Sequence, residues 1–147
     1  MQIRTFEEKD TAQLLDLIKL HVPASFAETE IQDFEDYLKF EREHYFVIQV
    51  HEMVVACGGI NFKETADQAW LSWDMVHPDF QSKGFGSMLL NHRIEVIKRM
   101  PQIHTLWVRT SQTASKFYEN KGFKTLRHVA DFWAEGFDLV EMKMEMI

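Results

Sequence analysis

Val76-His77-Pro78-Asp79-Phe80-Gln81-Ser82-Lys83-Gly84-Phe85-Gly86-Ser87 follows an apolar run, Ala69 to Val76, and opens a helical pattern that lasts to about Met100. A strand, a loop with two glycines and then a helix is an arrangement suited to holding phosphate. Glycine lets backbone approach an anion closely, and the first helical turn offers N–H groups without intrahelical partners. The helix dipole adds about 0.3–1 kcal/mol, and each charge-assisted bond to a backbone N–H about 1.5–3 kcal/mol. Lys83 puts a mobile cation in the loop. Two common alternatives do not fit: no G-x-x-x-x-G-K-[ST] occurs, and Leu89 stands where the dinucleotide fingerprint G-x-G-x-x-G needs its third glycine.

Outward from this stretch, Phe85, Leu89, Leu90, Ile94, Val96, Ile97 and Met100 form a broad apolar half of the helix, and Pro101 closes it. Arg93 falls on the same half, and nothing in the sequence accounts for it. Ile103 to Val108 reads as a strand reached by a crossover, hence parallel to Ala69–Val76. In Ala69–Val76 itself, Trp70, Ser72, Asp74 and Val76 alternate against Leu71, Trp73 and Met75, which predicts one face for each set.

Upstream, Tyr45 to Val50 and Met53 to Phe62 predict a hairpin around His51-Glu52, and Gly58-Gly59 predicts a bulge or a close backbone approach. Ile3 to Phe6 reads as a first strand. Asp10 with Gln13 and Ser25 with Glu28 resemble capping boxes for two helices, the first ended by Pro23 and the second running to about Arg42. Glu64 to Gln68 is turn-like. Ser111 is the expected N-cap of a short helix and Gly122 its C′ residue. Phe123 to Phe132 and Phe137 to Met146 are the last strands, joined around Ala134-Glu135-Gly136.

A length of 147 residues, 46% of them hydrophobic, suits one domain over 1–147 with a sizeable core and argues against disorder. No apolar run is long enough to span a bilayer, and Met1-Gln2-Ile3-Arg4 does not begin a signal peptide, so a cytoplasmic location without membrane attachment is the default expectation. Cys57, the single cysteine, lies among Val54, Val55 and Ala56 and is expected to be buried and inert. The formal net charge of −7 disfavours non-specific nucleic-acid binding and is compatible with a cationic partner. The seven histidines and the carboxylates show no metal-ligand spacing, and no metal is expected.

The full string Val76-x-Pro78-x-x-Gln81-x-x-Gly84-x-Gly86 resembles the acetyl-CoA-binding motif of the GNAT superfamily of N-acetyltransferases. Ala114-x-x-Phe117-Tyr118-Glu119-x-x-Gly122-Phe123 resembles that family's A-x-x-x-Y-x-x-x-G-F segment. The resemblance implies an α/β fold: a mixed, mostly antiparallel sheet flanked by helices, with one parallel strand pair around the CoA-loop helix. It implies transfer of an acetyl group from acetyl-CoA to a primary amine. Gln81, Ser82, Lys83, Gly84, Phe85, Gly86 and Ser87 would hold the pyrophosphate, and backbone at Met75 and Val76 would meet the thioester carbonyl. Tyr118 matches the family tyrosine that protonates the departing thiolate.

Two positions depart from the family pattern. Trp70 stands where several members carry a glutamate base, which leaves Asp74, on the predicted face of Trp70, as first candidate, with His77, Glu64 and a water chain as alternatives. Ser111 stands where many members bond the pantetheine arm with asparagine. The irregular joint His21 to Phe26 matches the region that lines the acceptor site. With Glu28, Glu30 and Asp33 beside it, a cationic acceptor is expected, either a small-molecule amine or a peptide amine. Phe132-Trp133-x-x-Gly136-x-Asp138-x-Val140-x-Met142 loosely resembles the closing hairpin of ribosomal-protein-alanine acetyltransferases, which keeps a protein N-terminal or lysine acceptor open. A non-catalytic acyl-CoA sensor is the reading from another class. Exposed strand edges and the methionine-rich last strand are compatible with a homodimer.

Overall fold

Residues 1–62 and 67–146 are described by the structure, a computed structural model. The chain runs β1 (Gln2–Thr5), α1 (Thr11–Lys19), α2 (Glu30–Phe40), β2 (His44–Val50), β3 (Met53–Phe62), β4 (Gln68–Val76), α3 (Phe85–Lys98), β5 (Thr105–Thr110), α4 (Ser115–Asn120), β6 (Lys124–Ala134) and β7 (Phe137–Glu145). The strands form a mixed sheet in the order β1-β2-β3-β4-β5-β7-β6, in which β4–β5 is the parallel pair and the other neighbours are antiparallel. This is the sheet that the crossover through α3 demanded.

Each face of the sheet has its own core. One packs Leu89, Leu90 and Ile97 of α3 and Tyr118 of α4 against Val55, Ile60, Ala69, Leu71, Leu106 and Val108. The other packs Leu14, Leu17 and Ile18 of α1 and Phe34, Tyr37 and Leu38 of α2 against Tyr45, Val47, Cys57 and Met75. Cys57 is fully buried, and burial pushes its thiol up to about 12, which keeps it protonated and unreactive.

The alternation expected along β4 fails at Trp73. Its φ is +51°, and the register to β3 moves from Cys57–Met75 to Gly59–Ser72, so β4 carries one extra residue there. Ala69 and Leu71 lie in the α3 core, whereas Trp73 and Met75 lie with the α1/α2 core. Asp74 therefore bonds Arg93 of α3, while Ser72 bonds Asn61 beside Tyr37 of α2. Asp74 and Trp70 do not share a face. The bulge predicted from Gly58-Gly59 is at the expected place, and its extra residue is in the partner strand.

Asp10 is the N-cap residue of α1 as expected, but the capping boxes differ in their bonds. The Asp10 carboxylate is bound by both Arg4 Nη atoms at 2.9 Å and by the Glu7 N–H, and Gln13 instead accepts from Val54 N at 2.9 Å. Helix α2 starts at Glu30, whose Oε2 accepts from Ala27 N, and Ser25 lies outside it. Ser111 does not cap α4, which begins four residues later with Ala114 as N-cap. Gly122 does end α4 as expected: φ is +103°, its N–H donates to Glu119 O, and Phe123 N donates to Tyr118 O, the two bonds of a Schellman motif.

Candidate active site

The parallel ladder runs from Gln68–Thr105 to Leu71–Val108, and beyond it the described residues of β4 and β5 no longer pair with each other. Where they part, a cavity of about 1180 Å³ opens. Ser72 to Val76 form one wall of it and Val108 to Ser111 another. The bulge at Trp73 is what takes the end of β4 out of the ladder. The extra residue turns the strand before it can continue beside β5.

Below this opening lies the loop with which the sequence reading began. Pro78–Phe80 form a single 3-10 turn, Gly84 takes φ +88° as N-cap of α3, and a Cβ there would meet nothing within 4 Å. Gln81, Ser82, Gly84, Phe85, Gly86 and Ser87 all line the cavity; Lys83 is exposed and is not part of its wall. Met75, Val76 and Ser111 line it as well, and the Ser111 hydroxyl bonds Thr113 Oγ1 at 2.7 Å. His77 stays outside the lining, and its Nδ1 accepts from Asp79 N at 3.1 Å. Glu64 lies outside the described residues.

Tyr118 and Asp74 meet in the wall of the cavity. The Tyr118 hydroxyl donates to Asp74 Oδ2 at 2.5 Å. Arg93, the residue without an account in the sequence, grips the same carboxylate with Nη1 on Oδ1 at 2.5 Å and Nη2 on Oδ2 at 2.7 Å. Arg93 is 1% exposed, and Nη1 and Nε also donate to Gly59 O and Leu89 O. A Cβ on Gly58 would lie 2.6 Å from Asp74 Oδ1 and 2.9 Å from Arg93 Nη1, so only glycine leaves room for the pair. Burial first, and the Asp74 charge next, push the Tyr118 hydroxyl well above the ordinary phenol range, so it stays protonated at neutral pH. Burial opposes the Arg93 charge, but Asp74 more than offsets it.

Breaking a buried pair strands its partner's charge, typically at about 3–5 kcal/mol, whereas removing both charges costs less. Arg93→Met is accordingly expected to lower the urea midpoint more than Arg93→Met combined with Asp74→Asn. Equal losses would show that charge is not what the pair contributes.

The rest of the cavity lining mixes aromatic walls with carboxylates. His21 lines it, 7% exposed, with Nε2 lacking a hydrogen-bond partner among the described residues. Burial is the first cause that lowers its pKa, so it is neutral at pH 7. Of the three acids expected at the acceptor mouth, Glu30 lines the cavity, while Glu28 and Asp33 are exposed outside its lining. Glu41 and Glu43 line it instead, beside Asn61 and Trp70. The sequence reading missed both, because they sit in the turn between α2 and β2, far in sequence from every motif. Among the described residues no group of three or more His, Cys, Asp or Glu is placed to hold a metal ion. No helix of the described residues is long and apolar enough to cross a membrane.

Residues 41–125 match the family model described as acetyltransferase (GNAT) domain, more than half of the chain. The chain belongs to the GNAT acetyltransferase family. It is 30% identical over 122 residues to an amino-acid acetyltransferase of Pseudomonas fluorescens, covering 83% of this chain and 27% of that protein. The chain thus spans about a quarter of the length of the curated relatives it matches first. Among solved structures, the ribosomal-protein-S18-alanine N-acetyltransferase from Escherichia coli shares the fold with a TM-score of 0.81, 20% identity and coverage of 99% and 93%. An aminoglycoside 6'-N-acetyltransferase complexed with coenzyme A does so with a TM-score of 0.80, 16% identity and coverage of 100% and 98%. Acetyl-CoA as cosubstrate fits this family.

Proposed function

We propose that the chain catalyses transfer of an acetyl group from acetyl-CoA to a primary amine, with Tyr118 as the proton donor. One observation carries this reading: a single cavity is lined by the Gly84–Gly86 loop, the parting of β4 and β5, Tyr118 and the carboxylate residues Glu30, Glu41 and Glu43. Backbone from Gln81 to Ser87, at the start of α3, suits a pyrophosphate, and its glycines leave that approach open. Acetyl-CoA supplies the activated thioester. The acceptor nitrogen bonds to its carbonyl carbon, the C–S bond breaks with its electron pair on sulfur, and Tyr118 gives that sulfur a proton or a strengthening hydrogen bond. A phenol above pKa 10 facing a thiol of about 8.5 makes full transfer uphill by at least roughly 2 kcal/mol, so the strengthening bond is the larger part of the benefit.

Asp74 was the first candidate for the base that takes the amine's proton. Both its oxygens are occupied by Arg93 and Tyr118, and it lies across the sheet from Trp70. In this reading Asp74 therefore serves Tyr118, and the amine's proton leaves through water.

For the acceptor, Glu30, Glu41 and Glu43 support a cationic amine. A free amino acid is the second reading, favoured by Arg109 in the cavity wall and by the name of the Pseudomonas relative. The deciding experiment is acetyl-CoA-dependent CoA release across polyamines, aminoglycosides, amino acids and peptide N-termini. A cationic acceptor is expected to lead, with kcat/KM falling as salt rises because exposed carboxylates are screened beyond about 8 Å at physiological ionic strength. Glu43→Gln should weaken it through KM. Leading activity on neutral or anionic amines, without salt dependence, would sink the cationic reading, and no CoA release on any amine would leave the sensor.

A further inference from the structure

We propose that Asp74 and Arg93 are positioning residues for Tyr118: Asp74 holds the phenolic proton until charge develops on the departing sulfur, and Arg93 holds Asp74. The inference rests on the acetyl-transfer reading above.

Three local costs converge on one hydroxyl. Trp73 adopts a left-handed backbone, φ +51°, which turns Asp74 toward α3. Gly58 forgoes a side chain, since any Cβ would strike the Asp74–Arg93 pair. Arg93 brings a full charge into a site where it is 1% exposed. Packing alone would be served as well by an apolar residue at 93 and a neutral one at 74. Local rules are broken together chiefly where a site needs the result.

The geometry says what is gained. A phenol free to rotate would sample the cavity, whereas the 2.5 Å bond to Asp74 fixes one direction for its proton and leaves the oxygen beside the space between β4 and β5. The two charge-assisted bonds from Arg93 fix the carboxylate in turn, because a planar guanidinium fork allows one orientation. At the developing thiolate, the hydrogen turns from Asp74 to sulfur. Asp74 keeps its Arg93 bonds throughout, so its carboxylate stays paired. As the C–S bond breaks, its electron pair goes to sulfur and the phenol's hydrogen bond strengthens on it; the proton that the thiol finally takes through Tyr118 is matched by the one that the acylated amine releases to water.

The test is a double-mutant cycle between Asp74→Asn and Tyr118→Phe, read in kcat, in KM for acetyl-CoA and in urea stability without ligand. Asp74→Asn is expected to lower kcat roughly 10–100-fold with KM for acetyl-CoA within about threefold, and to add little loss in the Tyr118→Phe background. Stability losses of the two single variants should also fail to add. If Asp74→Asn folds poorly, Asp74→Asn with Arg93→Met removes both charges and should show the same fall in kcat. Arg93→Lys, which keeps charge but not the fork, should fall between. Additive kcat losses, a loss carried by KM, or a double-neutral variant with wild-type kcat would overturn the proposal while the acetyl-transfer reading stands. A wild type that releases no CoA with any acceptor would overturn both.

Discussion

Tyr118→Phe is expected to lower the turnover number by about 10²–10⁴-fold while acetyl-CoA affinity changes little, the range typical of losing a general acid. The ring is packed edge-on between Phe117 and Phe123, so phenylalanine fills the same volume. What disappears is one O–H, and with it the donor to Asp74. Stability should fall modestly, because Arg93 still satisfies the carboxylate. Steady-state kinetics on a good acceptor, with acetyl-CoA binding measured separately, check the split. An unchanged kcat would assign Tyr118 to packing.

The second large effect is at the loop. Acetyl-CoA at about 100 times its dissociation constant should stabilise the folded chain by roughly 2.7 kcal/mol, a rise in Tm of about 5–10 °C for a domain of this size. Gly84→Glu should abolish that rise. The new side chain meets open space, so the fold tolerates its volume, and the left-handed φ of +88° costs about 1–2 kcal/mol in the unliganded protein. The carboxylate then stands where phosphate must approach. Thermal unfolding with and without acetyl-CoA measures both effects. A variant that keeps the ligand-dependent rise would move the phosphate site away from this loop.

Sequence and structure agree best where one residue type has a single local meaning. The Gly84-x-Gly86 turn, the Schellman end at Gly122, the parallel pair forced by a crossover and the burial of Cys57 were all legible, because backbone conformation or a short apolar context dictates them. Arg93 was not. Its partner is nineteen positions away on another element, and helical periodicity can show that a charge faces the core without showing what meets it there. The capping bond at Asp10 and the cap positions at Ser25 and Ser111 were misread for a related reason. Asp10 is held by Arg4, Gln13 by Val54 and Ser111 by Thr113, partners that the local capping pattern does not rank. Asp74 was placed on the face of Trp70 because strict alternation has no room for an extra residue.

That extra residue at Trp73 makes β4 a strand with two phases. Before it, odd-numbered side chains seal the core under α3; after it, even-numbered ones point that way, and Trp73 and Met75 close the opposite core. The strand therefore reads like a message with a frame shift built in. A substitution on either side changes one letter and one contact. Were the bulge smoothed out at unchanged length, strict alternation would reverse everything downstream: the carboxylate would be carried to the face of Tyr37, away from Arg93 and Tyr118, and Met75 into the wrong core. The faces of Asp74, Met75 and Val76 are thus set by the bulge before their own chemistry, and removing Trp73 alone should leave all three on the faces they now occupy, since regular alternation from Ser72 gives the same phase.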